Sequence, residues 1–184
     1  MRTTIAGTVD FVSVPELSAP ALSQRLAEEV IEEAIAESGI GRTGDFPGPL
    51  FLALPPVELE WDQRLALAAA SGANDNVTYD DLLRVAGNGS FEPYYRRFLF
   101  GSVGENLADQ FGTKGSPIAT STACASGGTA IQLGVEAIRR GETDAALVVG
   151  TDASVNPESL IRFSLLSALS TRNDPPASAS RPFS

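Results

Sequence analysis

The sequence predicts an α/β fold built on a mostly parallel sheet. Three observations carry this expectation. Residues 116–121, 124–140 and 144–149 read in turn as strand, helix and strand, a unit whose strands run parallel and are joined by a right-handed crossover. A short apolar run at residues 50–54 reads as a further buried strand. Between the strands lie segments with helical periodicity.

Taken in order, the first helix is predicted over residues 20–38. Leu22, Leu26, Val30 and Ala34 recur at spacing four, with Ile31 and Ile35 alongside. Glu28, Glu29, Glu32, Glu33 and Glu37 form its solvated side, and Gly39 is a natural end. A loop rich in Gly and Pro leads to the strand at 50–54. A second helix is predicted over 58–70, stopped by Ser71 and Gly72. Thr78 followed by Asp81 is a capping pair that opens a short third helix. A fourth covers 102–111, with Val103, Leu107 and Phe111 on one face and Gly112 at its end. The helix at 124–140 is rich in small residues, ends at Gly141 and is expected to be the most buried helix. The tail from Ser170 is polar, rich in Ser and Pro, and reads as a loop.

Composition narrows the function classes. With 43% hydrophobic and 20% charged residues among 184, the chain is globular rather than disordered. The net charge of -10 argues against nucleic acid as a partner, because phosphate binding needs a basic face. One cysteine excludes an internal disulfide framework and fits a reducing, cytoplasmic compartment. The first residues do not form a signal peptide, and no apolar run is long enough to span a bilayer. Histidine is absent, so no Cys–His pair can form within the chain and a metal site is unsupported. No phosphate-binding loop of the form GxxxxGK[ST] is present. No cofactor is expected.

The chemistry converges on Thr122-Ala-Cys-Ala-Ser-Gly-Gly128. Cys124 sits where a buried strand turns into a helix, and free N–H groups with the helix dipole favour a negative charge there. A thiolate in that position is a nucleophile, and the same N–H groups can hold the oxyanion formed when a thioester is attacked. On spacing alone the alternative stays open: a lone cysteine among alanines is also a small buried hydrophobe. Gly127 and Gly128 cost helix stability, and close packing against another backbone is the simplest reason for them.

Three stretches resemble the elongating β-ketoacyl-[acyl carrier protein] synthases, of the thiolase fold. They are Ser121-Thr-Ala-Cys-Ala-Ser-Gly127, residues 141–153, and Ala168-Leu-Ser-Thr-Arg-Asn-Asp174 together with Ala179-Ser-Arg-Pro-Phe183. The resemblance is strong from about Gly101 onward, weaker over 2–40 and poor over 46–98. It implies a thiolase-like, layered α/β/α architecture. It also implies that residues 1–184 are an incomplete N-terminal half-domain, without the family's first strand and C-terminal domain. That leaves three core strands with a gap among them. The C-terminal domain of the family supplies two histidines and a lysine.

For function, the resemblance implies a 3-oxoacyl-[acyl carrier protein] synthase of fatty-acid biosynthesis. Cys124 takes the acyl group, its own N–H forms part of the oxyanion hole, and Claisen condensation with malonyl-[acyl carrier protein] follows. The resemblance also places Ala123 and Phe163 beside the acyl pocket; Phe163 reads equally as ordinary core. Arg172 is assigned a structural role. Acyl carrier protein is the implied partner, and a homodimer through the edge of strand 116–121 is the implied assembly. Two alternatives remain open: a polyketide or special-lipid ketosynthase, and a non-catalytic partner subunit, against which the presence of Cys124 argues. The family's usual basic docking residue is replaced by Ser167, and its basic helix start is reduced to Arg25. Arg96 and Arg97 are candidate substitutes, and a specialised carrier is implied.

Overall fold

Residues Leu50–Ala53 (β1) place four apolar side chains in succession, and all four are buried. A strand that is apolar on both faces must be covered on both sides. The computed structural model, which describes residues 2–12, 18–72, 77–95 and 97–181, meets that demand with three layers. β1 is the middle strand. It pairs in parallel with Ile118–Thr120 (β2) on one side and with Leu147–Gly150 (β3) on the other, giving the order β2-β1-β3. The expected gap among the strands is therefore absent, because β1 hydrogen-bonds to both neighbours. The predicted strand–helix–strand unit keeps its parallel strands, but β1 lies between them.

The helices are Ala19–Ser38 (α1), Trp61–Ser71 (α2), Tyr79–Ala86 (α3), Glu92–Tyr95 (α4), Ser102–Phe111 (α5), Ser126–Arg139 (α6) and Pro157–Leu165 (α7). On one face of the sheet, Leu50, Leu52, Leu147 and Val149 meet Ala27, Ile31 and Ile35 of α1 and Val103, Leu107 and Phe111 of α5. On the other face, Phe51, Ala53 and Val148 meet Ala130, Leu133 and Ala137 of α6. Ile31, Leu50, Leu52, Leu107 and Phe111 are wholly buried, each contributing about 1.5–3 kcal/mol of apolar transfer free energy.

The stripe that α1 turns inward differs from the predicted one. Ser23, Ala27, Ile31 and Ile35 are buried, whereas Val30 and Ala34 are exposed. The reason lies in a polar bond. The Thr151 hydroxyl donates to the Ser23 carbonyl at 2.7 Å, and the Ala153 N–H donates to the Ser23 hydroxyl at 3.0 Å. These bonds join α1 to the chain leaving β3, and small side chains at Ser23 and Ala27 let the helix sit close. α5 matches its predicted bounds, with Gly112 in the left-handed conformation at its end. α3 opens on the predicted capping box of Thr78 and Asp81. α2 begins later than predicted, at Trp61, because Glu60 and Gln63 form a capping box there. α4 and α7 were not foreseen. α7 has a legible start: the Asn156 side chain accepts the Ser159 N–H at 2.9 Å and Pro157 follows the cap.

α6 is not the most buried helix. Ala130, Gly134 and Ala137 are its buried residues, while Ile131, Val135 and Ile138 on the opposite side are 40–59% exposed. α5 is covered more fully, with six buried positions in its ten residues. Nor do Gly127 and Gly128 serve close packing, since a Cβ at either would meet nothing within 4 Å. The close approach is at Gly134, where a Cβ would lie 2.7 Å from Val148 Cγ2 and 3.7 Å from Phe51 Cδ2. Among the described residues no helix is long and apolar enough to cross a membrane.

This contrast predicts opposite outcomes for two similar substitutions. Gly134→Ala is expected to destabilise by about 1–3 kcal/mol, the usual range for overpacking. Gly128→Ala, facing open space, is expected to be neutral or to stabilise by up to about 1 kcal/mol through helix propensity. Urea denaturation followed by circular dichroism measures both. A Gly134→Ala protein as stable as the parent would mean that α6 does not seat on Val148.

Candidate active site

The parallel strands all point their carboxyl ends the same way, and the chain must turn sharply as it leaves each one. After β2 it runs through Ser121 and Thr122 into a single 3-10 turn, Ala123–Ala125, before α6 starts at Ser126. Cys124 is thus the centre of that turn rather than the first residue of the α-helix. The cause is Ala123, whose φ of 52° is left-handed and cannot continue a right-handed helix. For a residue with a Cβ this conformation costs roughly 1–3 kcal/mol and persists only where the surroundings over-determine it.

The surroundings here are hydroxyls. The Ser126 hydroxyl accepts the Thr122 N–H at 2.7 Å and donates to the Ala123 carbonyl at 2.7 Å, so one side chain spans the strained residue from both sides. The Thr129 hydroxyl donates to the Ala125 carbonyl at 3.1 Å and lies 3.0 Å from the Thr122 hydroxyl. The Ala125 N–H closes the turn onto the Thr122 carbonyl at 3.2 Å. Cys124, the chain's sole cysteine, is exposed. The buried-hydrophobe reading of this residue therefore does not hold.

Cys124 opens into a cavity of about 720 Å³ beyond the carboxyl ends of the strands, the place where open parallel sheets bind ligands. Ala123, Cys124 and Phe163 all line it, so the three residues singled out in the sequence come together. Phe163 is 44% exposed and is not core. Leu54 and Val57, after β1, and Leu166, after α7, add apolar wall. A Cβ at Gly127, another lining residue, would meet nothing within 4 Å.

Four of the charged lining residues form a cluster with no counterpart among the predicted site residues. The Arg64 guanidinium pairs with Glu58 at 3.1 Å and with Glu158 at 3.2 Å. Arg162 pairs with Glu58 at 3.1 Å and with Glu158. The hydrogen bond from Arg162 holds the Glu58 carboxyl below the usual carboxylate range, and the same bond raises Arg162. Glu158 and Arg162 stand four apart on α7, a spacing that becomes legible once that helix is recognised. Their link to Glu58 and Arg64 has no local signal.

Other expected residues lie elsewhere. Arg172 donates to the Asp174 carbonyl at 3.3 Å, in a segment tied to the N-terminal residues by the bonds Thr3 to the Ser170 carbonyl (2.6 Å) and Asn173 to the Arg2 carbonyl (2.8 Å). Arg25 is engaged by Glu28 and Glu29 on α1. Ser167 is exposed with φ 55°. Arg96 and the end of the 179–183 motif lie outside the described residues. Among the described residues no group of three or more His, Cys, Asp or Glu could hold a metal.

Known proteins give this arrangement a context. A model of the β-ketoacyl synthase N-terminal domain matches residues 9–184. The ketoacyl synthase alpha subunit of the tetracenomycin polyketide synthase of Streptomyces glaucescens is 29% identical over 99% of this chain, which covers 43% of that subunit. The chloroplastic 3-oxoacyl-[acyl-carrier-protein] synthase I of Arabidopsis thaliana is 36% identical over 53% of this chain and 21% of its own length. The chain thus spans less than half the length of these curated relatives. Among solved structures, a type II polyketide ketosynthase complexed with its acyl carrier protein and bound to the hexaketide (AntDE:AntF) matches 82% of this chain and 35% of its own. Its TM-score is 0.58, with 25% identity. An oxazolomycin ketosynthase domain from Streptomyces albus, 19% identical with a TM-score of 0.56 over 81% of this chain and 23% of its own, shares the fold. The strand-to-helix turn at Cys124, the layered fold and the family match over nearly the whole chain agree: the chain belongs to the β-ketoacyl synthase family, as part of its N-terminal domain.

Proposed function

We propose that this chain is the acyl-accepting part of a β-ketoacyl-[acyl carrier protein] synthase. One observation carries the reading: the sole thiol sits on a strained strand-to-helix turn and opens into a largely apolar cavity. In the first step the Cys124 thiolate attacks the carbonyl carbon of an acyl-carrier thioester. That attack forms the new C–S bond and a tetrahedral oxyanion; as the oxyanion collapses the carrier C–S bond breaks, and the carrier thiolate leaves and takes up a proton. The Cys124 N–H belongs to the oxyanion hole in this reading, and Ala123 and Phe163 flank the acyl chain. In the second step malonyl-[acyl carrier protein] loses CO2, and the electron pair left on carbon attacks the Cys124 thioester, expelling the thiolate and yielding a 3-oxoacyl carrier.

That second step needs donors beside the malonyl carbonyl, and this chain has no histidine. The share of the relatives' length that the chain spans supports taking residues 1–184 as an N-terminal half-domain. On this reading the first strand and the C-terminal domain lie outside it. A cytoplasmic homodimer completes the proposal. Its support is that β2 stands at an edge of the sheet with Ile118 48% exposed. A fatty-acid enzyme is favoured by the 36% identity, over 53% of the chain, to a 3-oxoacyl-[acyl-carrier-protein] synthase. A polyketide ketosynthase is favoured by the match spanning 99% of the chain, which is to a polyketide subunit. Both share the chemistry at Cys124 and separate on the acyl chains accepted.

Three outcomes follow. Incubating the full-length protein with an acyl-carrier thioester should give a single adduct, mapped by mass spectrometry to Cys124 and lost in Cys124→Ala; labelling that survives the substitution would refute the assignment. Ser126→Ala is expected to slow acylation about tenfold, the equivalent of one to two net hydrogen bonds, with Ser126→Thr restoring most of the rate. An unchanged rate in Ser126→Ala would separate the strained turn from the chemistry. The 184-residue chain alone should release no CO2 from malonyl-[acyl carrier protein] in an assay where the full-length enzyme does. Release near the control rate would place the decarboxylating groups within these residues.

A further inference from the structure

The wall of the Cys124 cavity formed by α2, α7 and residues 58–60, beyond the point where Leu54 and Val57 pack on the core, is fastened unlike the rest of the fold. α7 has no buried residue, and the buried position of α2 is Ser71 at its far end. What joins these segments is polar. Arg64 Nε donates to the Leu59 carbonyl at 2.6 Å, and Glu58 Oε2 is shared by Arg64 Nη2 and Arg162 Nη2 at 3.1 Å each. Arg162 Nη1 donates to Glu58 Oε1 at 3.1 Å, and Arg64 Nη1 reaches Glu158 Oε1 and Oε2 at 3.3 and 3.2 Å. Arg64 also lies over the Trp61 ring, 5.8 Å from its centroid. All four charged side chains line the cavity, and their exposures run from 26% for Glu158 to 53% for Arg162.

Apolar packing would fix such a wall firmly. Exposed ion pairs set a geometry but resist displacement weakly, and salt screens them. A wall so held yields when something large enough presses on it. We propose that Glu58, Arg64, Glu158 and Arg162 form an ionic clasp that closes the α2–α7 side of the cavity and limits the size of the acyl chain that Cys124 accepts. The proposal rests on Cys124 being the acyl site. A short chain fits with the clasp closed, whereas a long or branched chain has to part it. These residues are positioning residues, because they bound the chain without touching the reacting atoms.

The test compares two maleimides with the same reactive group on the full-length protein. N-ethylmaleimide reports access to the thiol, and N-octylmaleimide reports room for a chain. In Arg162→Gln the octyl rate should rise about fivefold, the size expected of losing one or two surface ion pairs, while the ethyl rate stays within about twofold. The parent protein in about 1 M salt, where the Debye length is roughly 3 Å, should shift the same way. That arm needs no variant, so it decides the matter if Arg162→Gln fails to fold. Acyl transfer from carrier thioesters of increasing length, run in parallel, should broaden toward longer chains. An octyl-to-ethyl ratio unmoved by both the variant and salt would overturn the clasp. A ratio that moves as expected in a protein that takes no acyl group from any carrier would uphold the clasp and sink the synthase reading instead.

Discussion

Burial of β1 on both faces is the constraint from which the rest follows. Four apolar residues in a row cannot be half-solvated, so the sheet must carry α1 and α5 on one side and α6 on the other. Parallel pairing on both edges of β1 then brings three carboxyl-terminal strand ends to one rim. The cavity is the space left where those chains diverge. Its position is a product of topology, and the side chains decide only what it holds.

Within that frame the turn at Ala123 trades local comfort for exposure. In a regular helix starting at Cys124 the thiol would project outward from the axis, tilted toward the N-terminus. The left-handed residue breaks that path and lifts the thiol to the cavity, and Ser126 holds the break in place with two 2.7 Å bonds. The strain and the clamp are three residues apart in sequence, so the device is local and tolerates change in the rest of the helix. Gly134 does the complementary work further along, seating α6 against Val148 so that the turn stands at a fixed height over the sheet.

Much of this was legible in the sequence where the physics is local. The bounds of α5, the capping box at Thr78 and Asp81 and the three strands rested on periodicity and turn chemistry. Failures came where tertiary bonds override local pattern. The stripe of α1 shifted because Ser23 binds the chain after β3, which no hydrophobic count can reveal. The glycines judged to pack closely were the wrong ones, since residue spacing does not say which helix turn meets a Val methyl. The strand order escaped because pairing partners of short parallel strands lie far apart in the chain. The Glu58, Arg64, Glu158 and Arg162 group joins residues up to 104 positions apart and has no linear signature.

The bare side of α6 has a consequence for how the chain behaves in solution. Ile131, Val135 and Ile138 form an apolar strip that the described residues leave uncovered, and such strips drive colloidal attraction. Opposing it is mutual repulsion from a net charge of -10 at neutral pH. Around the isoelectric point, near 4.4, that repulsion vanishes and the strip meets others like it unopposed. Mild acid therefore makes this chain prone to precipitation, and dilute alkaline buffer of low ionic strength is the medium in which it stays dispersed.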